Sequence, residues 1–207
     1  GVSLPALTIV ALEEPENNLA PFYLSRIIKQ VQEISGSPSA QAIVSSHSPS
    51  ILARVEPSSV RHFRLNVGNR CSEVRQIRLP LDDENASKFI REAVLAYPEL
   101  YFARYVILGE GATEEVVLPI LAKAMDFPID RSFVAVVPLG GRHVNHMWRL
   151  LNDLQVPHAT LLDLDWGRNG GGFGRIKTTC EQLLSIGKTP EQVFGEALHQ
   201  DGPEDSI

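Results

Sequence analysis

The sequence predicts an α/β fold, a parallel sheet with helices on both faces, and three observations predict it. First, apolar runs of strand length alternate with segments of helical periodicity along most of the 207 residues. Second, the run Tyr105-Val106-Ile107-Leu108 passes through Gly109-Glu110-Gly111 straight into a helical pattern of Val116, Val117, Ile120, Leu121, Ala124 and Met125. Third, a later run, Ala159 to Leu164, is also strand-like and carries Asp163 and Asp165 at its end. Strand, tight turn and helix in succession put charged residues at the carboxyl ends of strands, where open α/β sheets bind ligands.

Composition narrows the class. A hydrophobic content of 43% supports real cores, and two cysteines, Cys71 and Cys180, suggest a reducing compartment rather than a disulfide framework. No apolar run reaches membrane-spanning length and no signal peptide is visible, so a cytoplasmic protein with no membrane partner is expected. Asn85-Ala86-Ser87 then reads as a chance glycosylation match. The net charge of −6 argues against a simple nucleic-acid binder. Residues 104–207 hold nine Lys and Arg against fourteen Asp and Glu, while residues 1–103 hold ten against eleven. The acid excess therefore lies in the second half, where divalent ions would reverse the local field.

Taken in order, Ala6 to Leu12 is a buried-strand run that meets Glu13-Glu14-Pro15-Glu16-Asn17. On its own this is a strand with a solvated acidic turn. A helix is expected from Pro21 to Ile34, with Phe22, Leu24, Ile27, Ile28 and Val31 as its apolar positions. A short strand, Ala40 to Val44, then runs into Ser45-Ser46-His47-Ser48-Pro49. Residues 60–80 alternate and are basic, with Arg61, Arg70, Arg75 and Arg78 interleaved around a turn at Val67-Gly68-Asn69-Arg70. They read as a two-stranded edge with a solvated basic face, the alternative being a DNA-phosphate contact. Asp82-Asp83 opens a helix to about Tyr97, with Phe89, Ile90, Ala93, Val94 and Leu95 apolar, and Pro98 closes it.

The second half continues the alternation. Thr113 is placed to cap a helix from Glu114 to about Met125. A strand follows over Ser132 to Val137, ending in Pro138-Leu139-Gly140-Gly141. A helix over about His143 to Gln155 turns Val144, Met147, Leu151 and Leu154 inward. After the strand Ala159 to Leu164, the loop Trp166 to Gly174 either lets backbone approach a phosphate or is a plain surface loop. A last helix covers about Thr178 to Ile186, and Asp201 to Ile207 read as unstructured.

Glu110 and Glu114 from one strand end, and Asp163 and Asp165 from another, give four carboxylates. If the two strands are neighbours, the acids converge. They then repel unless cations sit among them, and hard oxygen donors select Mg²⁺ or Mn²⁺.

These motifs carry a resemblance. An acid-ended strand followed by a helix, a strand and a strand-end histidine resembles the second half of an ABC-type ATPase domain. The resemblance implies Walker B places for Glu13 and Glu14 and the switch-histidine place for His47, which in that family contacts the γ-phosphate. No G-x-x-x-x-G-K-[S/T] occurs in the chain, so ATP is expected only for a full-length protein of which this chain is a fragment. Glu110-Gly111-Ala112-Thr113-Glu114, with Asp163-Leu164-Asp165 after a spacing of 53, resembles the Toprim domain. The succession of the two resembles the OLD (overcoming lysogenization defect) family of bacterial nucleases.

The resemblance implies three parts: residues 1–81 as the C-terminal part of an ABC-type ATPase domain, 82–103 as a connecting helix, and 104–207 as a Toprim nuclease domain. It implies a DNA endonuclease in which two Mg²⁺ or Mn²⁺ ions, roughly 3.5–4 Å apart, clamp the scissile phosphate. Glu110, Glu114, Asp163 and Asp165 would be the metal ligands and catalytic residues. Lys177 or Arg168 would supply the family's basic residue. DNA is the expected partner, with a second copy meeting through the ATPase half of the full-length protein. The rival readings are a topoisomerase or primase of the Toprim class, and a non-catalytic scaffold that binds metal or DNA.

Overall fold

The computed structural model describes residues 6–17, 19–66, 68–79, 84–127, 129–140 and 144–195. The expected helix opening at Asp82-Asp83, Val67 of the hairpin turn, Gly141, the helix start at His143 and the tail Asp201 to Ile207 lie outside the described residues. The chain forms two compact units, residues 1–103 and 104–207, and each is an α/β assembly. Among the described residues no helix is long and apolar enough to cross a membrane.

In the first unit, β1 (Thr8–Glu13) and β2 (Ala40–Ser45) pair in parallel, with Glu13 opposite Ser45. The connection is α1 (Pro21–Ser35), whose first turn tolerates Pro21 because the N–H it lacks has no helical partner there. Leu24 and Ile28 of α1 pack with Ile51 of the short α2 (Pro49–Leu52), and Val44 joins them from β2. Phe22, another of the apolar positions of α1, is exposed.

A separate hairpin, β3 (Arg61–Asn66) and β4 (Cys71–Gln76), is antiparallel. Arg61, Arg70 and Arg78 of the expected basic face are exposed, and Arg75 is half-buried. Phe63, Leu65 and Val74 are exposed too, whereas His62, Arg64 and Glu73 are half-buried with Arg75. Glu73 pairs with Arg75, and the His62 ring meets Tyr101 edge-on at 6.0 Å. Helix α3 (Glu84–Ala96) buries Ala86, Ile90, Ala93 and Val94 within this unit.

The second unit is a three-stranded parallel sheet in the order β6-β5-β7. Its strands are β5 (Tyr105–Gly109), β6 (Val134–Pro138) and β7 (His158–Thr160). Helix α4 (Ala112–Ala124) connects β5 to β6, and α5 (Val144–Asp153) carries the chain from β6 back past β5 to β7. The two steps run in opposite directions, so right-handed crossovers place α4 and α5 on opposite faces.

Helix α5 is the anchor. Val144, Met147, Trp148, Leu150 and Leu151 are all buried, each large apolar side chain being worth about 1.5–3 kcal/mol relative to exposure. Helix α4 has no buried residue, and Val116, Ile120, Leu121 and Met125 lie exposed. Two further helices follow β7: α6 (Phe173–Ser185) and α7 (Pro190–Phe194), the latter capped by Thr189.

Candidate functional site

The site follows from the strand order. β5 and β7 are neighbours, with Leu108 opposite Thr160. The two acid motifs, 53 residues apart, therefore leave the sheet side by side at its carboxyl edge. β5 stops at Gly109 because the chain turns there into α4. An alanine Cβ at Gly109 would stand 2.5 Å from Cβ of Glu114. Only glycine lets the first turn of α4 fold back so closely over the strand end. Within that turn, Glu114 Oε2 accepts the Gly111 N–H at 2.9 Å, so Glu114 itself caps the helix. Thr113, expected as the cap, lies inside the helix, which begins at Ala112 with Gly111 at the cap position.

The expected strand to Leu164 is shorter in the structure, because β7 ends at Thr160. One ladder bond continues past it, from the Leu161 N–H to the Leu108 carbonyl at 2.8 Å. Beyond this β5 has already turned away, so Leu162 to Asp165 have no strand to pair with. Asp163 is held differently: its N–H donates to Glu110 Oε2 at 2.7 Å. Asp165 has a positive φ of 50° and pairs with Arg168 at 2.9 Å. The glycine-rich loop then closes on this segment. The Gly172 N–H donates to the Leu164 carbonyl at 2.7 Å, and a Cβ on Gly171 would stand 1.9 Å from the Asp165 carbonyl oxygen.

The other oxygen of Glu110 is also taken. Arg175 Nη2 donates to Glu110 Oε1 at 2.7 Å, with side-chain exposures of 26% and 22%. Arg168 and Lys177 are the basic candidates that the resemblance implies, and Arg175 is not among them. The sequence places a loop over Trp166 to Gly174 and a helix only from about Thr178, but α6 starts at Phe173 and carries Arg175 in its first turn. Lys177 lies 3.9 Å from Glu181 on the exposed side of α6, and its side chain is 68% exposed.

The structure thus brings Glu110 and Asp163 into contact, turns Glu114 back onto Gly111 and pairs Asp165 with Arg168. Among the described residues no three His, Cys, Asp or Glu side chains stand close enough together to hold a metal ion. All four acids offer the hard oxygens that Mg²⁺ or Mn²⁺ take. Arg175 already places a positive charge on Glu110, standing where such an ion would find its first ligand. The donors fit a hard cation in chemistry, and in this arrangement both oxygens of Glu110, and one each of Glu114 and Asp165, accept from protein N–H groups. A cleft of about 970 Å³ opens beside β7, lined by Asp163 and Arg175 together with Trp148, Thr160, Cys180 and Leu183. Trp148 is fixed there by donating to the Thr160 hydroxyl at 2.8 Å.

A second polar cluster lies at the carboxyl ends of β1 and β2. Glu14 faces His47, with Oε1 at 3.4 Å from Nε2. Asn17 donates to the other Glu14 oxygen at 2.6 Å. Glu13 closes the β1 ladder opposite Ser45. Glu16 ties the two loops together, accepting from the Ser46 hydroxyl at 2.6 Å and from the His47 N–H at 3.2 Å. Burial alone would raise the Glu16 carboxyl, but these hydrogen bonds outweigh it and hold it below its ordinary value.

Comparison with known proteins finds a match in each of two segments. Residues 101–165 match the family described as overcoming lysogenization defect protein-like, TOPRIM domain. Residues 2–53 match the AAA domain described as putative AbiEii toxin, type IV TA system. A curated relative, Endonuclease GajA of Bacillus cereus (strain HuB5-5), is 24% identical over 185 residues, covering 79% of this chain and 27% of that protein. The chain thus spans about a quarter of the length of the curated relative it matches. An OLD-like Toprim segment behind an ATPase segment is the order that the resemblance implied.

Proposed function

We propose that this OLD-like chain is the nuclease-bearing portion of a longer ATPase-linked DNA endonuclease that hydrolyses phosphodiesters with divalent metal ions. The observation that supports it best is the Glu110–Asp163 contact at 2.7 Å, which joins the two acid motifs at one sheet edge. When bound, two divalent ions would supply Lewis-acid activation of the scissile phosphate and of the attacking water. The chain's own part is positional. Glu110 and Asp163 set the distance between the strand ends. Glu114, drawn back by Gly111, adds carboxylate charge on the α4 side of that edge. Asp165, held by the loop through Gly171 and Gly172, fixes the far wall. The Glu14–His47 cluster belongs to the ATPase segment and would meet nucleotide only in the longer protein, where a second copy would pack against that segment.

The second reading is a non-catalytic Toprim scaffold. It draws on the internal pairing of the carboxylates, which leaves no three of them gathered for an ion among the described residues. Supercoiled plasmid incubated with the chain and Mg²⁺ or Mn²⁺ separates these readings. Nicked and linear DNA supports the nuclease, relaxation without free ends supports a topoisomerase, and retention without cleavage supports the scaffold.

A further inference from the structure

We propose that the outward face of α4 is a dimer interface, on which the helix packs antiparallel against α4 of a second copy of this chain. The inference stands apart from the nuclease reading and from the contact expected through the ATPase half.

Among the described residues α4 buries none of its side chains, whereas α5, on the opposite face of the sheet, buries five. Helices in folded chains owe most of their stability to packing an apolar face, so α4 calls for a cover that its own unit does not supply. Its apolar residues form two adjacent ridges at four-residue spacing. One is Val116, Ile120 and Ala124, and the other is Val117, Leu121 and Met125. All six are exposed, and so is Phe127 just past the helix end. The charged residues Glu115 and Lys123 fall outside both ridges. A groove of about 600 Å³ beside the second ridge, which Leu121, Met125 and Phe127 form with Tyr105, Ile107 and Val134, extends the apolar area toward the sheet.

Shape and area name the occupant. Two ridges of four-residue spacing interdigitate in the commonest crossing of globular proteins. The same ridges can serve both members, so the patch is complementary to itself, as a two-fold interface requires. With the crossing centred on Ile120, Val116 of one protomer lies over Ala124 of its partner, large against small. Val116, Val117, Ile120, Leu121, Met125 and Phe127 together expose about 600 Å² of surface, so a symmetric pair removes about 1,200 Å² from water, where stable interfaces begin. Glu114 lies in the first turn of α4. An antiparallel pair therefore carries its two acidic edges at opposite ends, about 20 Å apart along a helix of 13 residues.

Sedimentation velocity of the chain in EDTA, over a concentration series, is the test. The parent should show a monomer–dimer equilibrium with a Kd on the order of 10 μM. Ile120→Glu, at a position 63% exposed and away from the acidic edge, should weaken the dimer about a hundredfold and leave the thermal midpoint of the monomer unchanged. Ile120→Ala should weaken it about tenfold, and it decides the matter should the glutamate disturb the helix. Phe63→Glu, on the exposed apolar side of the β3–β4 hairpin, should leave the dimer intact. A parent chain that stays monomeric at about 100 μM overturns the proposal and leaves the face to another segment or partner. Dimers that persist in both Ile120 variants, dimers lost in Phe63→Glu, or open-ended assemblies larger than a pair overturn it as well.

Discussion

Glu110 and Asp163 share a hydrogen bond that no local geometry could supply: the carboxylate of one accepts the backbone N–H of the other at 2.7 Å, 53 residues further along the chain. It fixes the loop after β7 against the end of β5 through main chain, so its loss is felt whatever residue occupies position 163. Glu110→Ala should lower stability by about 1–3 kcal/mol, since the Asp163 N–H and the Arg175 guanidinium both lose their acceptor. Glu110→Gln, which keeps an acceptor oxygen, should recover part of that. Denaturant titration of the two variants checks the order, and plasmid nicking should be lost in both.

Gly109→Ala tests the close approach of α4 to β5. The added methyl meets the Glu114 side chain well inside contact distance. Either Glu114 moves or the first turn of α4 does. The expected cost is about 1–3 kcal/mol, the usual range for overpacking a filled position. Nicking should fall with it, because the shift falls on a carboxylate of the site. Thermal unfolding and nicking measured on one preparation report both effects.

Mn²⁺ should raise the thermal midpoint of the chain, as any ligand that binds the native state alone must. Asp163→Ala should reduce that shift and abolish nicking while leaving the metal-free stability within about 0.5 kcal/mol of the parent, since the Glu110 bond uses the main chain of residue 163. Differential scanning fluorimetry with Mn²⁺ and with EDTA gives both numbers. Robust cleavage by this variant would place the chemistry elsewhere.

His62 predicts a pH dependence in the first unit. Burial against Tyr101, with the charge of Arg64 nearby, holds the imidazole below its ordinary value of 6.5. The unfolded chain therefore takes up the proton first. Stability contributed by neutral His62 is present above pH 6.5 and declines as the pH falls below it towards the folded value. His62→Phe, apolar and of similar breadth, should flatten that decline. Unfolding midpoints between pH 7.5 and pH 5, compared for parent and variant, measure the difference.

Much of this architecture can be read from the chain. The Gly109-Glu110-Gly111 turn between an apolar run and a helical pattern marks the end of β5, and the inward stripe Val144, Met147, Leu151 and Leu154 is buried in full. What could not be read depends on neighbours. Leu161 to Leu164 is apolar enough for a strand, but a strand lasts only as long as its partner, and β5 has turned into α4 by then. Phe22 and the outward residues of α4 fit helical periodicity, yet periodicity names a face without saying whether anything covers it. Arg175 sits among glycines that argue for a loop, and its pairing with Glu110 spans 65 residues, beyond any local pattern.

The strand order has a consequence for the newly made chain. Because β7 lies beside β5 only after β6 and α5 have been laid down, the acidic edge is a late product of synthesis. A ribosome-bound chain that has extruded Glu110 still lacks Asp163 and Arg175, and so has no assembled acidic edge. Contacts so distant in sequence form slowly, after the loop-closure entropy has been met. The fold itself thus delays the appearance of the site until the surrounding sheet is complete.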